Sequence, residues 1–306
     1  MRILLDGANP ISRSGPNSFS KKLKDALLEL GHIAGHTADE ITDPNARILF
    51  IQGSKCDIPT ALRLDGIYFN TRQAWREMNL PIQESYSQSE MVIHQTEFDR
   101  RLIEMFFGAH PFASVISNGA DPRKTMAVSP LVHPVFNGSS ETWVCASSWR
   151  PHKRLADNIR FFREHAGPSD VLVVAGDIAQ VQQEITGISL DRVFFAGDLD
   201  QQTLISLYRR SSHLVHLAWL DHCPNVVVDA RAAGCKIVCS SSGGTEEVAG
   251  RDAIVIEEDE WDMSPLDLYS PPPLDFSRRR DGRFDHNNDI LDVAEKYVRA
   301  LERIVK

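Results

Sequence analysis

The 306-residue chain has no apolar run longer than a strand; Val171 to Ala175 is typical. A membrane-spanning helix, which needs about 20 consecutive apolar residues, is therefore not expected. Cysteine is scarce and scattered. Cys56, Cys145, Cys223, Cys235 and Cys239 are odd in number and form no C-x-x-C pair, which argues against a disulfide framework or a zinc site. Positive charge is in deficit, with 33 Lys and Arg against 42 Asp and Glu and a net charge of −9, so nucleic acid is not expected as a general partner. No repeat with a period of about 20 to 50 residues is visible. The opening MRILLDGANP enters a strand directly instead of a secretory leader, so the expectation is a cytoplasmic protein with reduced thiols. Peripheral membrane contact stays open.

What is present is globular composition, 42% hydrophobic and 25% charged, over a length that suits two domains. Strand and helix patterns alternate, which predicts an α/β protein with parallel sheets. Strands are expected at 2–6, 47–52, 61–69, 91–94 and 114–117. A glycine- and proline-containing loop at 9–17 precedes a helix over 18–30. Thr96-Glu97-Phe98-Asp99 reads as a capping box starting a helix that runs to Phe107. Prolines at 122, 130 and 134 mark a linker over 121–142. The alternation then restarts, with strands at 142–146, 171–175 and 192–196 and helices at 155–165, 178–185 and 201–211. The segment 261–284 reads as irregular and its Arg278-Arg279-Arg280 as a solvated loop. A C-terminal helix over 288–306 carries apolar residues at 290, 294, 297, 301 and 304.

The most informative stretch runs from His216 to Gly250. It reads as strand (214–219), polar Cys-Pro-Asn turn, helix (226–233), strand (236–239) and Gly-Gly loop. Asp221 and Asp229 then face one crevice together with the N–H groups of a helix start. Such a crevice suits a ligand with phosphates and hydroxyls, because helix N-termini attract anions and carboxylates accept hydrogen bonds from ribose or sugar. Taken alone, two Asp at this spacing also fit a helix cap and a solvated face.

The order VCASSWRPHKRL (144–155), VVAGD (173–177), VFFAGDLDQQTL (193–204), D-x7-D (221–229) and GGTEE (243–247) resembles the nucleotide-sugar half of family-4 glycosyltransferases of the GT-B fold. ISNGAD (116–121) and LLELGH (27–32) are similar to segments of that family's first domain. The resemblance covers about residues 1–250. It implies two Rossmann-like α/β/α domains facing a cleft: an acceptor-side domain over 1–125, a nucleotide-sugar domain over 126–262, an irregular segment over 263–287, and a helix over 288–306 that crosses to the first domain.

By resemblance, Lys153 is the phosphate-binding lysine, with Arg150 beside it. Asp229 binds the nucleotide ribose, and Asp221 contacts the donor sugar as a catalytic residue. Pro224, Asn225 and Val226 lie against the diphosphate, while Gly197, Asp198 and Leu199 present backbone groups to the base. Gly243, Gly244 and Glu247 form a loop close to the cleft. Both family glutamates are Asp here, and Cys-Pro-Asn replaces a glycine-containing turn. On the acceptor side, Gly15 fits a close-approach loop, and a plain turn fits equally. The mid-domain histidine of many family members is missing. Arg63-Leu64-Asp65-Gly66 stands there, so Arg63 and Asp65 are the candidates, Asp65 for catalysis, and His94 reads as a satisfied core residue. The implied reaction is transfer of a sugar from a nucleotide diphosphate sugar to a glycan or other hydroxyl, with retention of configuration, no metal and no cofactor. Sugar-nucleotide epimerisation and nucleotide-sugar binding without turnover are the alternatives.

Overall fold

A computed structural model describes residues 1–9, 11–12, 15–37 and 39–305. Pro10, Arg13 and Ser14 of the expected 9–17 loop, and Lys306 of the expected last helix, lie outside these residues. Two parallel sheets organise the chain. The first contains β1 (Arg2–Asp6), β2 (Ile33–Gly35), β3 (Ala46–Phe50), β4 (Thr60–Arg63), β5 (Met91–His94) and β6 (Ala113–Val115), in the order β2-β1-β3-β4-β5-β6. The second contains β7 (Thr142–Ala146), β8 (Val171–Ala175), β9 (Val193–Gly197), β10 (His213–His216), β11 (Lys236–Ser240), β12 (Ile254–Ile256) and β13 (Arg279–Asp281). Its order is β13-β12-β11-β10-β7-β8-β9. Strands β3, β4, β5, β7 and β8 are buried at every position, which is why they read as apolar runs without alternation.

Strand order reverses beside β1 in the first sheet and between β7 and β10 in the second. Such switch points leave a crevice beyond the carboxyl ends of the strands. Helices cover the faces: α1 (Gly15–Glu29), α2 (Trp75–Gln88), α3 (Glu97–Phe107) and α4 (Pro122–Ala127), then α5 (Leu155–His165), α6 (Gln201–Arg210), α7 (Asn225–Ala232), α8 (Thr245–Ala249) and α9 (Ile290–Glu302). Helix α1 buries Phe19, Leu23, Ala26 and Leu27, one stripe at helical spacing. Thr96 caps α3 as its sequence requires, accepting from the Asp99 N–H at 3.1 Å.

The C-terminal segment returns to the first sheet. Thr71 N–H donates to the Leu266 carbonyl, Ala120 N–H to the Asn288 carbonyl and Ile290 N–H to the Ala120 carbonyl. Helix α9 then buries Val293, Ala294, Tyr297 and Leu301 in one core with Phe19, Leu23, Ile3 and Phe50. The Tyr297 and Phe19 ring centroids are 6.0 Å apart.

Several expected elements differ. The expected 61–69 strand stops at Arg63, and the backbone turns at Gly66, where φ is +107°. Only a short 3-10 turn, Gln182–Ile185, forms where a helix was expected over 178–185. The 121–142 linker holds α4, capped by Asp121. Of the three arginines expected in a solvated loop, Arg278 and Arg279 are exposed, but Arg279 and Arg280 lie in β13, which runs antiparallel to β12, and Arg280 bonds Glu246 at 2.6 Å and Glu257 at 2.9 Å. His94 is in the core, but burial leaves both ring nitrogens without a hydrogen bond and pushes the imidazole below its ordinary pKa, so it is a neutral packing group, not a satisfied one.

Candidate active site

A cleft of about 560 Å³ opens between the two sheets. From the first sheet it takes Gly15 after β1, Arg63 and Asp65 after β4, and Gln95 after β5. From the second it takes Lys153 after β7, Leu199 after β9, His216 and Asp221 at and after β10, and Pro224, Asn225, Val226 and Asp229 at α7. Every one of these positions follows a strand's carboxyl end or opens the helix after it, as a doubly wound sheet places its ligands.

The electrostatics are those of paired charges. Asp221 Oδ2 accepts from Lys153 Nζ at 2.5 Å and from His216 Nε2 at 2.9 Å. Burial alone would raise the Asp221 carboxyl, but the Lys153 charge and the His216 bond outweigh it and hold the group well below the usual carboxylate range. Burial lowers His216, which therefore donates as a neutral ring. Asp229 pairs with Lys22 of α1, across the cleft. On the first-sheet side Arg63 is fully buried, lies 4.3 Å from the Phe19 ring centroid, and bonds both Asp65 and Asn118. Asn118 in turn donates to the Cys223 carbonyl at 2.9 Å, so a first-sheet residue fixes the Cys-Pro-Asn turn of the other domain. Burial raises the Asp65 carboxyl even beside Arg63; its Oδ1 also accepts from Gln95, and its Oδ2 has no partner. The Cys223 thiol is pushed up to about 12 by burial, which removes it as a nucleophile.

The cleft thus gathers Asp221, Asp65, Lys153, Leu199, Pro224, Asn225, Val226, Asp229, Gly15 and Arg63. Gly15 is the first residue of α1 and not a free loop; its carbonyl accepts from Asn225 Nδ2 at 2.9 Å. Six expected residues stand outside the lining. Arg150 is exposed ahead of a 3-10 turn, Pro151–Lys153, while Lys153 closes that turn and reaches inward. Gly197 and Asp198 hold the neighbouring loop: the Gly197 carbonyl accepts from Gly176 N–H and Asp198 Oδ1 from Asp177 N–H. Gly243, Gly244 and Glu247 act behind the cleft. Gly244 N–H donates to the Asp221 carbonyl at 2.7 Å. Glu247 takes the Glu97 and Phe98 N–H groups at 2.7 and 2.9 Å, capping α3 from the opposite domain. His216, Gln95, Asn118 and His222 line the cleft without having been singled out from sequence.

Gly243 gives a direct test of how tightly Asp221 is held. Its φ is +75°, and an added Cβ would stand 2.4 Å from the Asp221 carbonyl oxygen. Gly243→Ala is expected to cost about 1–3 kcal/mol in backbone strain alone, read as a lower denaturation midpoint. An unchanged midpoint would show that the loop relaxes freely.

Among the described residues no group of three or more His, Cys, Asp or Glu is placed to hold a metal, and no helix is long and apolar enough to cross a membrane. No curated protein matches the sequence significantly. Solved structures match over essentially the whole chain. Alr3699/HepE from Anabaena, in complex with UDP and glucose, has a TM-score of 0.67 at 13% identity, covering 99% of this chain and 100% of that one. AviGT4, a glycosyltransferase involved in avilamycin A biosynthesis, has a TM-score of 0.67 at 14% identity, covering 100% and 98%. Sucrose-phosphate synthase from Thermosynechococcus elongatus has a TM-score of 0.64 at 12% identity, covering 100% and 96%. The family described as glycosyl transferases group 1 matches residues 134–264, the half that supplies Lys153, Asp221 and Asp229. The chain therefore has the GT-B fold, and residues 134–264, most of its second sheet domain, are similar to the group 1 glycosyl transferases.

Proposed function

We propose that the cleft transfers a sugar from a nucleoside diphosphate sugar to an acceptor hydroxyl, with retention of anomeric configuration and without a metal ion. The observation that carries this reading is one cleft holding Lys153, Asp221 and the start of α7 opposite the Arg63–Asp65 pair. In the reaction the bond from the anomeric carbon to phosphate breaks with its electron pair on the diphosphate. The bond to the acceptor oxygen forms on the same face, and the acceptor's proton passes to the departing phosphate. Lys153 and the N–H groups opening α7 meet the developing negative charge, a fixed array that needs no reorganisation. Asp221 accepts from hydroxyls of the transferred sugar, Asp229 from the ribose, and Asp65 with Arg63 receives the acceptor. The ion pairs Lys153–Asp221 and Lys22–Asp229 stand in for the donor: its hydroxyls replace the ammonium groups on the carboxylates, and its phosphates take up the freed ammonium. Cytoplasmic residence is part of the same reading and agrees with five unpaired cysteines.

HepE structures with UDP and with UDP-glucose make uridine donors the first to try. A panel of UDP-, GDP- and ADP-sugars, with and without hydroxyl acceptors and with a chelator present, tests the reading. Free nucleoside diphosphate released only with acceptor supports transfer. An isomerised donor would instead mean epimerisation, and saturable binding without product would mean a binding protein. Within this scheme Asp229→Asn is expected to weaken nucleoside diphosphate binding by about 1.5–3 kcal/mol, with turnover at saturation little changed, because ribose contacts persist in ground and transition states. Calorimetry showing unaltered affinity would remove Asp229 from the ribose.

A further inference from the structure

The proposed chemistry leaves one cleft group without a task. His222 lies between Asp221 and the Cys-Pro-Asn turn, yet its ring belongs to the other domain's surface. Nδ1 lies 2.9 Å from Oδ1 of Asp99, a fully buried carboxylate of α3, 123 residues away in sequence. The position is built on both sides. A Cβ on Gly66 would stand 2.3 Å from the imidazole, so glycine at that turn makes room for it. The Phe98 and Phe69 rings flank it at 5.7 and 6.2 Å, and its own carbonyl accepts from Thr96 Oγ1 at 3.1 Å. Among the described residues the second nitrogen, Nε2, makes no hydrogen bond, and it belongs to a side chain, 20% exposed, that lines the cleft.

A departing diphosphate brings at least two negative charges; Lys153 and Lys22 reach it only once the donor displaces them from Asp221 and Asp229, and Arg63 stays paired with Asp65, so a further donor in the cleft has work to do. Asp99 accepts a hydrogen bond from Nδ1–H, which fixes the ring so that its protonated form presents Nε2–H to the cleft. We propose, on the transferase reading above, that His222 is a catalytic residue whose Nε2–H donates to an oxygen of the departing phosphate, and that Asp99 is its positioning residue.

The charges facing the ring favour this protonated form. Asp99 on α3, Asp221 on its own loop and Asp65 beyond β4 are all carboxylates, and Lys153 is the opposing cation. Burial lowers the imidazole, but the bond to Asp99 and its charge outweigh burial and hold the group above its ordinary value. Activity that needs the protonated ring is therefore full at low pH on this limb and falls as pH rises through the raised value. The direction is opposite to that of a general base.

Two readouts test the proposal on the full chain. The first is the pH profile of kcat/KM. The wild type is expected to show a descending alkaline limb. Asp99→Asn moves that limb down by about one pH unit, since a carboxylate that favours the cation is gone. His222→Gln, which keeps an N–H donor but cannot titrate, abolishes the limb and retains roughly a tenth of the activity, while His222→Ala retains less. A limb unchanged in His222→Gln overturns the proposal, whatever the loss in rate. The second readout is the His222 ring proton signal followed by NMR against pH, with and without whichever of UDP, GDP or ADP binds. It is expected to titrate later when the diphosphate is bound, and titration that ignores the bound diphosphate overturns the proposal. Because this readout needs no turnover, it stands even if the panel of donors yields no transfer product, so the two readings fail separately.

Discussion

Lys153→Ala is expected to lower kcat/KM by about 10²- to 10³-fold, the usual cost of removing one fixed charge-stabilising donor from a transferring group. The effect is large for two reasons that act together. The substitution deletes the ammonium proposed to meet the leaving diphosphate, and it leaves the half-buried Asp221 carboxylate with His216 as its remaining side-chain partner. Removing one member of a buried pair costs more than the pair contributes, because the other charge is stranded. Asp221→Asn strands Lys153 in turn and is expected to lower turnover more than nucleotide affinity, since its proposed partner is the transferred sugar. The double variant should be far less impaired than the product of the two single losses, as residues in direct contact are non-additive. Steady-state rates for the three variants decide this, and independent, multiplying effects would dissolve the assignment.

Deleting residues 288–306 is expected to be the most damaging change to stability. Helix α9 contributes Ile290, Val293, Ala294, Tyr297 and Leu301 to a core whose other wall is α1 and the first sheet. A single truncation such as Leu301→Ala, at a fully buried position, should cost about 2–5 kcal/mol. Loss of the whole helix removes several such contacts and uncovers Phe19, on which Arg63 rests. The deletion should therefore abolish cooperative thermal unfolding of the first domain and expose surface that binds hydrophobic dyes. An equally stable, equally active deletion would show that the helix packs without consequence.

Much of this architecture was legible because the chemistry was local. Thr96 and Asp99 announce the start of α3, and the apolar runs at 91–94, 142–146 and 171–175 are strands to the residue. The carboxylates Asp221 and Asp229 reach one cleft because a strand, a turn and a helix lie in sequence order around them. What stayed hidden depends on distant partners or on a broken local rule. Pro81 interrupts the helical pattern of α2, so 75–88 gave no helix signal although the helix forms around it. Strand β13 is Arg-Arg-Asp and gains its place by pairing antiparallel with β12 at a sheet edge, where polar residues face solvent. Glu247 carries the expected motif, but its task is to cap α3, a helix 149 to 150 residues away. His222 is the sharpest case: nothing adjacent to it in the chain names Asp99 or the vacancy at Gly66.

The return of α9 to the first sheet has a consequence for biosynthesis. The strands of the first sheet leave the ribosome early, but the helix that covers their core is translated after the entire second unit. In topological terms the second sheet domain is an insertion within the first. During synthesis the second unit is the one able to finish folding first, while Phe19, Leu23 and their neighbours wait uncovered for residues near 297. Chains that terminate early therefore carry a finished second domain beside an open, adhesive face, the state most in need of chaperone protection.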